Sequence, residues 1–397
     1  MYFTNKSRQL ISFVETMPIP DYPYSKPSNH LIKSIYHDLL KAYQYAWSLP
    51  SDTFQKKTIS TREIIFPTSM TTHSFPKEIT AHIHKYITCE VSSSFDCAGR
   101  KITIYWMFEK DVSLQVCREY TFYVKMWLYL LNMYASKSCG EKLVLYFYMT
   151  SHEKKLPERV SDTLDVIHVN TAFTTTCPIR GEIVVFRREE WFKVFIHETF
   201  HTFALDFSDM NNEGIHRCIS RLFPISSKIN AFEAYSEFWA ETMNVAFASL
   251  FSQSNAMAVA NINTFIEYFE MGMNAERTFS YFQLAKVLHH MGITYDELIQ
   301  TTTVNTKYKE NTNVFAYYVI KTIWMNQYPA FLQWCKRNNA PSLMEFRKTR
   351  ENQSLLCNFI EKQYKHPRLL QMCRIPWNWR GKSFLMQTMR MSVVEWI

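Results

Sequence analysis

The sequence predicts an α+β fold: several strands, a histidine-bearing helix after them, and a mainly helical C-terminal half. Three observations carry that expectation. Between residues 101 and 186, short runs rich in Val, Ile, Tyr and Trp alternate with one long stripe of helical spacing. Beyond residue 255, apolar residues recur at intervals of three and four, as on the buried faces of helices. Between the two regions stands the run Val194 to Phe203, in which His197 and His201 are four residues apart and Glu198 follows the first histidine.

In order along the chain, residues 1–30 hold Pro18, Pro20, Pro23 and Pro27 and read as an extended surface arm. A helix is expected from Leu31 to Trp47, ended by Pro50. Residues 51–100 are polar with few apolar runs. His82 and His84, two apart, fit one face of a strand better than a metal pair. Ile102 to Trp106 reads as a strand, and the stripe Val116, Tyr120, Val124, Trp127, Leu131 as one face of a long helix. Leu143 to Tyr148, Val166 to Thr174 and Glu182 to Phe186 follow as strands, the last two joined by a turn at Cys177 to Gly181. Glu189 and Glu190 are then expected in the first turn of the histidine helix, where its dipole favours negative charge. A polar loop with Asp206 and Asp209 leads to a helix from about Asn230 to Phe251. Further helices are expected at Ile262 to Met271, Ala275 to Met291, Val314 to Tyr328 and Leu355 to Tyr364. His289 and His290, at the end of one of them, suit a structural role. The chain divides on this reading into an N-terminal extension at 1–100, a core at 101–255 and a helical subdomain at 256–397.

Composition narrows the function classes. A chain of 397 residues with 47% hydrophobic residues and only seven Gly can bury a large core and is not low-complexity. The net charge of +8 is mild, although residues 341–397 hold ten Lys/Arg against four Asp/Glu. A solvated charged face explains that excess, and nucleic acid is not the expected partner. Nine cysteines without a C-x-x-C pair are read as reduced. Leu10 to Val14 is too short for a signal-peptide core, and no run reaches the roughly 20 apolar residues of a membrane span. These readings place the protein inside the cell, in the cytoplasm, without a membrane span.

The chemistry concentrates in two helices. On the first, His197 and His201 share one face, so both rings can reach a single Zn2+ ion, while Glu198 stands where a carboxylate can take a proton from water. Two histidines on the polar side of an ordinary helix are the plain alternative. On the second, Glu233, Glu237 and Glu241 follow one another at four-residue steps among Phe232, Tyr235, Phe238 and Trp239. Three stacked carboxylates repel unless something positive is near. Either they form a solvated acidic edge, or one binds the metal and the next orients a ligand histidine. Glu233 with Glu237, and Glu237 with Glu241, both fit that spacing.

His197-Glu198-Thr199-Phe200-His201, followed 32 residues later by Glu233 to Glu241, resembles the gluzincin branch of zinc metallopeptidases. The alternation of aromatic and small residues in the second run looks like the ligand helix of lethal-factor-type toxin peptidases. The stretch from Ile183 to Glu241 is also similar to metalloproteinase-like proteins of large DNA viruses. The resemblance covers roughly residues 160–250. It implies a zincin-like core, a mixed sheet with the active-site helix beneath an edge strand, with Zn2+ held by His197, His201 and Glu233, Glu198 as general base, Glu237 accepting a hydrogen bond from a ligand histidine, and a peptide or protein substrate. Aromatic residues two and six positions after the ligand favour Glu233 over Glu237. The resemblance also implies that Val166 to Thr174 is the edge strand that lines the cleft. A metzincin is excluded, because its third histidine would fall at Phe207 and its glycine at Ala204. No tyrosine stands just before Glu233, where the toxin enzymes carry an oxyanion-stabilising group. The alternative to an endopeptidase is an inactive zincin fold kept for structure or binding, as in a viral particle.

Overall fold

A computed structural model describes residues 3–17, 26–71, 74–252, 261–300, 307–379 and 383–396. Pro18, Pro20 and Pro23 lie outside them. The chain forms two compact units, and neither is a contiguous span.

One unit comprises residues 34–154 and 170–206 and is built on a six-stranded sheet. Its strands are β1 (Gln55–Thr58), β2 (Cys89–Cys97), β3 (Arg100–Phe108), β4 (Lys142–Met149), β5 (Ala172–Thr174) and β6 (Arg180–Val185), in the spatial order β1-β2-β3-β4-β6-β5. β1, β2 and β3 pair antiparallel, β3, β4 and β6 run parallel, and β5 closes the edge antiparallel to β6. The hairpin between β2 and β3 turns on Ala98 and Gly99, both at positive φ (49° and 78°), the requirement of a two-residue loop that follows the strand twist. Parallel strands need a crossover, and between β3 and β4 it is the helix Leu114–Asn132. Trp106 donates to Thr121 of that helix at 3.0 Å and stacks on Phe147 of β4, ring centroids 4.1 Å apart. Tyr146 and Tyr148 point to the opposite face, where Tyr148 packs on Phe66 and Phe75.

The second unit comprises residues 1–33, 155–169 and 207–397, and is helical. Its centre is the pair Ala231–Phe251 and Ile262–His290, almost wholly buried along the first helix. The two close on Gly272: a Cβ there would lie 2.6 Å from Cγ1 of Val245. Glycine inside a helix costs about 1 kcal/mol relative to alanine, and here the cost permits the close approach. The segments expected as two helices, Ile262 to Met271 and Ala275 to Met291, are therefore one helix of 29 residues. The two chain ends meet in this unit: Thr4 donates its amide to the Glu395 carbonyl at 3.0 Å, and Phe3 bridges Trp396. The buried carboxylate of Glu276 accepts the amides of Val393 and Val394, each at 3.0 Å.

Several local expectations change. The N-terminal arm is a helix, Asn5–Glu15, capped by the Thr4 hydroxyl and burying Leu10 and Val14. Residues 77–86 form a helix, so His82 and His84 do not share a strand face; His82 pairs with Glu109 at 2.6 Å and His84 packs on Phe66. Within Val166 to Thr174 only β5 is extended. Asp165 accepts the Val166 amide on its side chain and gives its own amide to His168, which closes a helical turn at Val166–Val169. The cysteines are not all reduced: Cys139 is bonded to Cys177 and Cys218 to Cys357. Pairs 38 and 139 residues apart leave no spacing signature in the sequence. No helix among the described residues is long and apolar enough to cross a membrane.

Candidate metal centre

The HExxH motif lies on the helix Trp191–Thr202, and every residue of it is buried. Its apolar face explains the placement. Trp191 meets Trp106 and Phe147 edge-on, with centroids 5.2 and 5.5 Å away, and Phe195, one turn later, meets Phe147 at 5.6 Å. Burying aromatic side chains of this size stabilises by roughly 1.5–3 kcal/mol each, which seats the helix on the sheet. Trp127 adds a hydrogen bond to the Thr199 hydroxyl at 2.8 Å. The start of the helix differs from expectation. Glu190 is its N-cap, at a positive φ of 57°, and Glu189 precedes it. Both are buried; Glu190 forms an ion pair with Lys154, which is equally enclosed.

With that face turned to the sheet, His197 and His201 present their Nε2 atoms to each other 3.2 Å apart. Two ligands about 2.05 Å from a tetrahedral ion are about 3.3 Å apart, so the pair has the spacing of adjacent ligand atoms. His201 directs Nδ1 to the carboxylate of Asp206, which is fully buried. The helix ending brings this about. Leu205 donates to the Phe200 carbonyl at 2.8 Å and Ala204 to the His201 carbonyl at 3.0 Å, while Ala204 adopts φ 53°. That is the Schellman termination, and it folds the chain back so that Asp206 comes level with His201. β5 lies beside the same helix end, with the hydroxyls of Thr174 and Thr202 2.8 Å apart and the Cys177 amide 3.3 Å from the His201 carbonyl. Glu198, which follows His197 directly in the chain, is buried on the same helix.

On the helix Ala231–Phe251, Glu233 accepts a hydrogen bond from the Tyr317 hydroxyl at 2.8 Å. Glu237 is buried one turn later. Glu241 is taken up by Lys321, whose ammonium lies 2.8 Å from its carboxylate and 2.9 Å from Ser280. Lys321 thus sets a positive group beside the last of the three stacked carboxylates. The ligand atoms of His197, His201 and Glu233 all lie within 4.8 Å of one another, the one such group of three among the described residues that could hold a metal ion. Two imidazoles and a carboxylate are a donor set that suits zinc.

Three contributors were not foreseen. Asp206 stood in the sequence only as part of a polar loop, although a carboxylate five residues past the second histidine is a readable signal once the helix end is known. Tyr317 and Lys321 lie 84 and 80 residues from their partners and leave no local trace. His290 donates to the Asp162 carbonyl at 2.9 Å, in a segment 128 residues away. No protein-family model, curated protein or solved structure matches the chain.

Proposed function

We propose that this protein is a zinc-dependent endopeptidase in which His197, His201 and Glu233 hold the ion and Glu198 acts as general base. One observation carries the proposal: the approach of two imidazole nitrogens and one carboxylate to within 4.8 Å, on a motif that adds a second carboxylate between the histidines. A zinc ion so held lowers the pKa of water and polarises a carbonyl oxygen.

The residues of the chain divide the remaining work. Asp206 accepts the Nδ1 proton of His201, which leaves Nε2 with its lone pair free for the metal. Tyr317 fixes the rotation of the Glu233 carboxylate by holding one of its oxygens. Glu198 takes the proton from the attacking water and passes it to the leaving amine. Glu237, in this reading, orients His197. β5 offers the backbone of Ala172–Thr174 at the sheet edge, where an extended peptide could add as a further strand.

Metal analysis of protein purified without added zinc, followed by peptide turnover with and without a chelator, tests this. About one zinc per chain and turnover that stops on chelation and returns with zinc are expected. Bound zinc without turnover would favour the inactive zincin-fold alternative, and absence of any metal would remove both.

A further inference from the structure

We propose that the groove between the helices Glu213–Leu222 and Arg350–Gln363 binds a small oligophosphate or phosphate ester through Arg217, Arg221 and Arg350. The two helices run side by side in the same direction, since Gln353 donates to Asn212 at 2.9 Å near their starts and Cys218 is bonded to Cys357 farther along. A cavity of about 570 Å³ lies between them, with the disulfide in its wall. Small-molecule sites span about 300–1,000 Å³, so the space suits a compact ligand better than an extended acidic chain.

Charge identifies the ligand class. Arg217 and Arg221 are one turn apart on one helix, and Arg350 reaches in from the first turn of the other. All three are exposed, and among the described residues none is ion-paired with a carboxylate. Like charges four residues apart on a helix destabilise it by a few tenths of a kcal/mol, a cost that an anion between them reverses. One carboxylate, Glu213, also lines the cavity and leaves the positive charge in excess. Guanidinium groups match phosphate oxygens in pairs, which makes three of them around one cavity a polyphosphate cradle. The disulfide fixes the distance between the two arginine-bearing helices.

Calorimetric titration of the full chain with sodium tripolyphosphate tests the assignment. His197→Ala is titrated in parallel, so that chelation of an ion at the histidines cannot be taken for binding in the groove. One site per chain is expected in both proteins, with inorganic phosphate weaker than tripolyphosphate. The double variant Arg217→Gln/Arg221→Gln, and separately Arg350→Gln, should each weaken binding by about tenfold or more, the effect of one or two lost charge-assisted hydrogen bonds. Lys101→Gln, an exposed change on the sheet unit, should leave it unaltered. A nucleoside triphosphate bound more tightly than tripolyphosphate would identify a nucleotide as the source of the phosphates. Failure of the wild-type chain to bind tripolyphosphate, loss of binding in His197→Ala, or equal affinity in the arginine variants would overturn the proposal.

Discussion

His201 and Asp206 are joined by a hydrogen bond from ring to buried carboxylate, although they stand five positions apart across a helix end. The bond fixes which ring nitrogen carries the proton. Asp206→Asn should retain the fold and weaken zinc by about 10–100-fold, the usual effect of losing a ligand's outer partner. Competition against a chelator of known affinity measures it, and wild-type affinity in that variant would assign Asp206 to structure alone.

His197→Ala should leave at most two protein ligands and empty the centre under conditions in which the wild type is loaded. Glu198→Gln should keep zinc and thermal stability but lose turnover, since an amide cannot accept the proton of the attacking water. Turnover surviving in Glu198→Gln would sink the assignment of the base.

The three glutamates should separate by measurement. Glu233→Ala is expected to lose most of the zinc, Tyr317→Phe to weaken it by up to about tenfold, and Glu237→Ala to cost about 10–100-fold. Glu241→Ala should leave zinc in place and lower the melting temperature instead. It strands the buried Lys321 ammonium, a loss of about 3–5 kcal/mol where a buried pair is broken. An empty centre in Glu237→Ala with a filled one in Glu233→Ala would move the ligand one helical turn along.

Stability should depend on pH through Glu310. Burial raises its pKa to about 7, against the hydrogen bonds that favour its charged form, among them the Phe315 amide at 2.7 Å. A carboxyl whose pKa is raised on folding stabilises the native state fully below its unfolded pKa, near 4.5, and loses that contribution as pH rises toward 7. The slope of unfolding free energy over that window should include a fall of about 1.4 kcal/mol per pH unit from this group. Glu310→Gln does not titrate and should remove that part of the slope in denaturant titrations at several pH values.

What could be read from the residues alone is what depends on near neighbours. Helical spacing placed Leu114–Asn132, Ala231–Phe251 and Arg350–Gln363 within a few residues, because a buried stripe on a helix repeats every three to four positions. The i,i+4 spacing of His197 and His201 set their rings on one face for the same reason. Signals failed where two local rules competed. The Asp165 side chain captured a turn from what read as a strand, and the two helices expected at Ile262 to Met271 and Ala275 to Met291 are one, with Gly272 between those spans in close approach to Val245. Tertiary structure alone decided the partners. Asp206 reaches His201 only because the chain reverses at Ala204, Tyr317 and Lys321 meet Glu233 and Glu241 from a distant helix, and two disulfides join cysteines with no common motif. Apart from the His201–Asp206 pair, which a local reversal joins, such contacts arise from packing between segments far apart in the chain. Their geometry depends on how whole helices and sheets bury their apolar faces, and no short run of residues encodes that.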